Sequence, residues 1–314
     1  MSDTVAELGE FALIDAVAQR LGTSDKATVP VGIGDDSAVV IASGNRVVAC
    51  VDVLNEGVHF RTDWSSGNDV GHKAAAANLA DIFAMGADPT ALLVGLSIPA
   101  TTQVAWVLDL ADGLAQEAKS VGAYVVGGDI VSGDKITISV TALGQLNDRQ
   151  PILRSGAQVH DVVAVAGKLG YSAAGLQMLQ RGFRSPRNLV NAHRVPSPAY
   201  DLAVSGRNAH SMIDVSDGLI SDLGHIASAS GVCINISTEK FEIPEELTAA
   251  AAAFSGDAMQ WVLAGGEDHA FAATFADALS VPSGWQVIGH VTSGSGVTVD
   301  GEPPTALGWD HFKS

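Results

Sequence analysis

The chain has 314 residues, 47% hydrophobic and 17% charged, and its 35 acidic and 17 basic side chains give a net charge of −18. This length and composition suit two domains with sizeable cores and exclude a disordered chain. The negative charge argues against nucleic acid or an anionic membrane as a partner.

Cysteine content and terminal sequence give an expectation about location. Cys50 and Cys233 are too far apart in sequence for a zinc motif and too few for a disulfide framework. The acidic N-terminus does not resemble a secretion signal, and no apolar run reaches the roughly 20 residues of a membrane-spanning helix. We therefore expect a cytoplasmic protein that does not enter membranes.

Helices and strands alternate along the first half. Apolar spacing predicts a helix over residues 7–21, an alanine-rich helix over 69–85 and a long amphipathic helix capped by Thr102. Strands are predicted over 46–52, ending in Asp52, over 123–126, ending before Gly127, and over 135–143. A polar stretch over 145–151 ends in proline and indicates a domain boundary.

The second half has the same mixed character. Helices are predicted from Ser172 and over 198–209 and 218–230, and strands over 161–166, 211–214, 232–236, 271–275 and 286–290. The sequence therefore predicts an α+β protein with two α/β domains, residues 1–148 and 149–314.

Carboxylates recur in short apolar contexts, beside glycine or at predicted strand ends. They lie in the segments Gly32-Ile33-Gly34-Asp35-Asp36, Val51-Asp52, Ala80-Asp81, Gly128-Asp129, Asp214-Val215-Ser216-Asp217-Gly218 and Gly265-Gly266-Glu267-Asp268. Buried carboxylates are costly without a counter-charge, and hard oxygen ligands suit Mg²⁺. Glycine lets a backbone approach a phosphate closely. The pattern favours a site for a Mg-nucleotide, in which the cation would offset the repulsion between ATP and an acidic protein.

Standard nucleotide motifs are absent from the sequence. Gly167-Lys168 lacks the upstream glycine of a phosphate-binding loop, and Leu169 stands where Ser or Thr is needed. The segment 214–218 instead joins a predicted strand to a predicted helix. Its amides and the Ser216 hydroxyl suit a phosphate at a helix N-terminus, while Asp214 and Asp217 suit a metal. An ordinary helix cap explains one of these residues but not two aspartates flanking a serine.

Other positions have structural explanations as well. Asp35 and Asp52 fit ordinary turns, and His59 fits a packed or surface histidine. Asp129 and Glu267, each after two glycines, fit a structural role as well as a functional one.

Taken together and in order, these segments resemble the thiamine-monophosphate kinase family. That family belongs to the superfamily of aminoimidazole ribonucleotide synthetase, selenophosphate synthetase and the hydrogenase-maturation dehydratase. The similarity runs from residue 9 to Trp309. Its most specific stretches are residues 32–36, 59–60, 78–89, 127–129, 153–157, 172–176, 213–223 and 265–269. Segments 78–89 and 265–269 point to this family within the superfamily.

The resemblance implies a fold, a site and partners. It implies an N-terminal α/β domain whose sheet pairs with a second subunit in a homodimer, and a C-terminal domain that completes the site for ATP and thiamine monophosphate. The implied Mg²⁺ ligands are Asp35, Asp52, Asp81, Asp129, Asp214 and Asp217. The implied ATP contacts are Gly128, Asp129, Arg154 and Ser216, and the implied substrate contacts are His59, Glu267 and Trp309.

The implied activity is ATP-dependent phosphorylation of thiamine monophosphate to thiamine diphosphate by direct in-line transfer, with Mg²⁺ ions and no general base. The alternatives are another ATP-using synthetase of the superfamily and a non-catalytic nucleotide-binding dimer. One departure bears on these alternatives: the family usually has Ser-Thr-Asp where this chain has Cys50-Val51-Asp52. Neither a thiol nor valine is a good ligand for a hard cation, so one metal position is expected to be weakened, served by water or lost.

Overall fold

The computed structural model describes residues 4–33, 38–42, 44, 46–254, 256–305 and 308–309. The chain divides into two compact units, the first formed by Met1–Ile82 and Ala87–Arg149 and the second by Phe83–Gly86 and Gln150–Ser314. The roles assigned to residues 1–148 and 149–314 stay predictions. No helix in the described part of the chain is long and apolar enough to cross a bilayer.

The first unit combines four helices with one four-stranded sheet. The helices are α1 (Val5–Leu8), α2 (Glu10–Leu21), α3 (Gly67–Ala84) and α4 (Val104–Ser120). The strands are β1 (Val47–Asn55), β2 (Asp88–Ile98), β3 (Tyr124–Ser132) and β4 (Thr137–Gln145). The sheet order is β1-β4-β2-β3, with β2 and β3 parallel and the other pairs antiparallel.

One face of this sheet packs against helices and the other is open. In β4, Ile138, Val140 and Ala142 are buried, and the residues between them are half-buried. Helix α3 lies against β1, as shown by the Asn78 side chain, which accepts a hydrogen bond from the Asp52 amide. We call the opposite side the open face. It consists of Val47, Val51 and Val53 of β1, Ser139 and Thr141 of β4, and Leu93 and Gly95 of β2.

The second unit is built on a six-stranded sheet. Its helices are α5 (Tyr171–Gln180), α6 (Arg187–Arg194), α7 (Tyr200–Ser205), α8 (Leu219–Ser230), α9 (Glu245–Ala253) and α10 (Ala258–Ala264). Its strands are β5 (Val162–Ala166), β6 (Ser211–Val215), β7 (Cys233–Ile236), β8 (Ala270–Phe275), β9 (Gln286–Thr292) and β10 (Gly296–Val299). The order is β10-β7-β9-β5-β8-β6, parallel only between β10 and β7. Every residue of β6 and β8 is buried, so both faces of these strands are covered.

The structure differs from the sequence-based expectations at several elements. Gly9, with φ of +84°, divides the predicted first helix into α1 and α2. Gln103, not Thr102, is the N-cap of α4. Strand β2 is not predicted at all. Asp52 is not the last residue of its strand and Asp129 does not follow one; they lie inside β1 and β3, because β4 and β2 continue to pair beyond them.

Candidate active site

Asp52 and Asp81 lie together on the helix-covered side of the first unit. The Asp52 amide donates to Asn78 Oδ1 at 3.1 Å, and the Cys50 thiol donates to the Asn78 carbonyl oxygen at 3.3 Å. Asn78 is fully buried and is itself held by a bond from its Nδ2 to the Ala74 carbonyl oxygen. Helix α3 therefore fixes the middle of β1 and places Asp81, one turn further on, beside Cys50.

The pKa of the Cys50 thiol reflects the negative charge of the neighbouring carboxylates. Burial raises its pKa, and the nearby carboxylates of Asp81 and Asp52 raise it further. The thiol is thus protonated at neutral pH, with two carboxylates beside it. Two convergent carboxylates repel each other and suit a divalent cation bound through oxygen.

Val51 and Asp129 lie on the opposite side of the sheet. Side chains alternate along a strand, so Val51 points away from Cys50 and Asp52, and it is 58% exposed. Asp129 pairs with Gly95, which pairs with Ser139, whereas Asp52 pairs with Val140 on the helix-covered side. Since β1 and β3 are also the two edge strands, one chain does not bring Asp129 beside Asp52.

Gly128 lies in β3 immediately before Asp129. A Cβ atom added there would come within 2.1 Å of the Val94 carbonyl oxygen. Gly128 therefore allows close strand pairing at this point, and the strand does not end before Gly127 as the sequence predicts.

His59 has a fixed orientation after β1. The Asn55 amide donates to His59 Nδ1 at 3.0 Å. An accepting Nδ1 carries no proton, so the neutral ring bears its proton on Nε2. His59 therefore presents an N–H donor on its other side.

Asp214 and Asp217 flank the junction of β6 and α8 in the second unit. Asp222, 2% exposed, accepts hydrogen bonds from the amides of Asp217 at 3.0 Å and Gly218 at 3.1 Å. Burial, together with the nearby Asp214 and Asp217, raises the pKa of Asp222 to about 8. The expectation that the loop amides hold phosphate is therefore wrong for these two, because Asp222 already occupies them.

Residues 265–269 run beside this junction. The Glu267 amide donates to the Ser216 carbonyl oxygen at 2.7 Å, and the His269 amide donates to that of Val215 at 2.9 Å. Glu267 and His269 have φ of +65° and +49°, a region that non-glycine residues seldom adopt. A backbone hydrogen bond thus joins Glu267, the predicted substrate contact, to Ser216, the predicted ATP contact.

Trp309 and Arg154 lie near the surface of the second unit. The Trp309 amide donates to the Asp217 carbonyl oxygen at 2.9 Å, and Trp309 is 56% exposed. Arg154 is exposed in a short 3₁₀ turn, and its carbonyl oxygen accepts from the Ser230 hydroxyl. Asp35 lies outside the described residues.

The aspartates thus form two pairs in separate units, Asp52 with Asp81 and Asp214 with Asp217. Among the residues that the structure describes, no three His, Cys, Asp or Glu side chains form a group able to hold a metal ion alone. This donor set still fits Mg²⁺, which usually binds one or two carboxylates together with substrate phosphates and water.

Three supporting residues, Asp222, Asp268 and His269, are not singled out by the sequence. Asp222 falls in the first turn of α8, where an acidic residue is expected simply as a partner of the helix dipole. The sequence shows Asp268 only as part of an acidic segment. Its burial, and the bonds it accepts from the amides of Gly170 and Ser172, depend on a packing of distant segments that sequence spacing does not show.

Two protein-family models match this chain, each lying almost entirely in one of its two units. Residues 34–146 match the family model "AIR synthase related protein, N-terminal domain", and residues 158–302 match the corresponding C-terminal domain. The thiamine-monophosphate kinase of Mycobacterium tuberculosis is 48% identical over 99% of this chain and 94% of its own length.

Solved structures have the same fold. That of the thiamine-monophosphate kinase from Stenotrophomonas maltophilia K279a has a TM-score of 0.81 and 34% identity, covering 94% of this chain and 98% of its own. A structure described as AaThiL complexed with AMPPCP and TMP has a TM-score of 0.80 and 34% identity, covering 98% of each chain.

The mixed two-unit fold and the matched domains define an AIR synthase related protein. Within that class, the relatives that align over nearly the whole chain are thiamine-monophosphate kinases, at 48% and 41% identity. The chain therefore belongs to the thiamine-monophosphate kinase family. The family resemblance and the fold class inferred from the sequence are confirmed.

Proposed function

We propose that this chain is a cytoplasmic thiamine-monophosphate kinase. The observation that carries the proposal is its 48% identity with the mycobacterial kinase over 99% of the chain. A phosphate oxygen of thiamine monophosphate bonds to the γ-phosphorus of ATP, and the bond from that phosphorus to the leaving oxygen of ADP breaks. The attacking phosphate is already ionised near neutral pH, so the reaction needs positioning and charge stabilisation more than a general base.

The two carboxylate pairs are the proposed Mg²⁺ ligands, with Asp35 and Asp129 as further ones. When bound, the ions would neutralise the phosphate charges and orient both reactants. Asn78 holds the backbone of Asp52, and His269 contacts the buried Asp214 carboxylate, so the positions of these two residues need little reorganisation. The ions would also let a chain of net charge −18 bind ATP.

An apolar cavity in the first unit is the proposed adenine site. It has a volume of about 120 Å³, is lined by residues of α2, α4 and the sheet, and extends to Gly128 and Asp129. An apolar cavity beside a few polar groups is typical of a cofactor or nucleotide site. The proposed phosphate contacts Arg154 and Ser216 belong to the second unit.

Three residues are proposed to bind thiamine monophosphate. His59 presents an Nε2–H donor that suits a phosphate oxygen. Glu267 contributes negative charge, and Trp309 contributes an exposed aromatic face. Both suit the cationic thiazolium ring.

The open face is the proposed dimer interface. Its side chains Val47, Val51 and Val53 are 53%, 58% and 46% exposed, and Leu93 across the sheet is 37% exposed. A contiguous apolar sheet face is costly in water and marks an interaction surface. Since Asp129 shares this face, pairing of two copies would bring the Asp129 carboxylate of each copy to the interface.

A turnover assay tests the proposed function. Purified chain is incubated with ATP, Mg²⁺ and thiamine monophosphate, with thiamine as the matched acceptor lacking the phosphate. We expect thiamine diphosphate and ADP in equal amounts, only with Mg²⁺ and only from the monophosphate. Nucleotide binding without product would indicate a non-catalytic dimer, and ADP without thiamine diphosphate would indicate another synthetase; either result would contradict the proposal.

A further inference from the structure

Residues 265–269 connect three parts of the second unit through side chains as well as backbone. Asp268 Oδ2 accepts from the Gly170 amide at 2.6 Å, and its Oδ1 accepts from the Ser172 amide at 2.8 Å. His269 Nδ1 lies 3.1 Å from Asp214 Oδ2. The segment carrying Glu267 is therefore bonded to the start of α5 and to the end of β6.

The contact between His269 and Asp214 has a defined direction. Both side chains are buried, at 7% and 6% exposure. An ionised carboxylate only accepts, so the imidazole donates through Nδ1–H. A donor to one carboxylate oxygen fixes the rotation of the group and leaves the other oxygen free to bind a cation, as outer partners of metal ligands do.

The backbone around His269 supports this arrangement. The His269 amide is bonded to the Val215 carbonyl oxygen, and the preceding Asp268 is bonded to the amides of Gly170 and Ser172, so the backbone at His269, with φ of +49°, is held in place. Such conformations persist where surrounding contacts enforce them, and they cluster at functional sites.

We propose that His269 is a positioning residue for phosphoryl transfer, which holds the Asp214 carboxylate in the orientation required for Mg-nucleotide. Asp268 anchors the same segment to α5, so the carboxylates of Glu267 and Asp214 are held in one fixed relation. This inference rests on the proposed function only in taking Asp214 as a metal ligand.

The test compares His269→Asn with His269→Gln. The amide nitrogen of Asn can stand near Nδ1, whereas that of Gln reaches toward Nε2. Both variants keep a polar side chain of moderate size, so both are suited to folding. His269→Leu removes the donor altogether.

His210→Leu is the matched control. His210 Nδ1 lies 3.0 Å from Asp161, in a second histidine–aspartate contact just before β6, four residues from Asp214 in the chain. The variant His210→Leu shows how much affinity and melting temperature change when a histidine–aspartate contact is lost away from the proposed metal ligands.

The primary readout is calorimetric affinity for AMPPCP at a series of Mg²⁺ concentrations, with melting temperature measured in parallel. Losing a hydrogen bond to a charged group costs about 1.5–3 kcal/mol, which corresponds to roughly a tenfold to hundredfold weaker affinity. We expect that loss in the Gln and Leu variants, near wild-type affinity in the Asn variant, and unchanged affinity in His210→Leu. Equal affinities for the Asn and Gln variants, or a similar loss in His210→Leu, would overturn the inference.

Binding of Mg-AMPPCP does not require turnover. A chain that fails to make thiamine diphosphate would refute the proposed function, while the ranking of Asn against Gln would still decide the role of His269.

Discussion

At the scale of single residues, Cys50 stands where the resemblance to the family implies a serine. Its thiol lies beside Asp52 and Asp81, where burial and both carboxylates raise its pKa, so it remains a neutral and poor ligand for Mg²⁺. Sequence comparison treats Cys50 and Val51 as one altered position. The strand separates them, because Val51 lies on the open face.

We expect Cys50→Ser to lower the Mg²⁺ concentration that gives half-maximal rate. A hydroxyl is a harder donor than a thiol, and a gain on the order of 1 kcal/mol corresponds to about fivefold. The measurement is the rate as a function of Mg²⁺ at saturating ATP. Cys233→Ser, at the other half-buried free cysteine, is the control and should leave this dependence unchanged.

Trp309 is expected to contribute to substrate affinity and not to stability. It is 56% exposed, so it does not anchor a core. Trp309→Ala should raise the Michaelis constant for thiamine monophosphate by roughly five- to thirtyfold, the range expected for loss of stacking on a cation. Trp309→Phe should recover part of the loss. A large fall in melting temperature, or equal weakening of ATP, would show a structural role instead.

At the scale of elements, His72 connects α3 to α4. Its Nδ1 lies 2.9 Å from Glu117 Oε2, and this hydrogen bond raises the pKa of His72 above its ordinary 6.5. The folded chain then binds the proton more tightly than the unfolded chain. The resulting stabilisation is complete below about pH 6.5 and is lost as pH rises through the raised pKa.

Thermal unfolding of metal-free wild type and His72→Gln across this pH range tests the prediction. The wild type should be more stable below pH 6.5, by less than about 1 kcal/mol because the pair is partly exposed, and the difference should shrink at higher pH. Glu117→Gln should give the same profile. A difference that does not change with pH would contradict the assigned cause.

The elements also show what sequence alone can predict. Most helices and the alternating strand β4 follow from local spacing, and so do the candidate carboxylates. Strand β2 does not, because its Asp-Pro start and its Gly95 resemble loop signals, and only pairing with β3 and β4 makes it a central strand. For the same reason the predicted strand over 123–126 stops before Gly127, whereas β3 continues through Gly128 to Ser132.

At the scale of the whole molecule, the sequence predicts candidate site residues but does not predict how they are grouped. Spacing along the chain cannot show that Asp129 and Asp52 lie on opposite faces of one sheet, or that Asp222 occupies the amides of Asp217 and Gly218. These relations arise from register and packing.

The open face gives a prediction about assembly. Val53→Lys would place a charge on each copy of a self-complementary surface, where desolvation and like-charge repulsion oppose pairing. Light scattering or sedimentation should show a dimer for the wild type and a monomer for the variant. Val204→Lys, at a 39% exposed valine in the second unit, should remain dimeric. A monomeric wild type would refute the proposed interface.

The most direct test of the proposed function follows the transferred group itself. ATP labelled in its γ-phosphate is mixed with the chain, Mg²⁺ and thiamine monophosphate, and the label is traced after a single turnover. Direct transfer predicts that the label appears in the terminal phosphate of thiamine diphosphate, with none bound to protein at any time. Label in inorganic phosphate alone, or a labelled protein that precedes the product, would contradict the account.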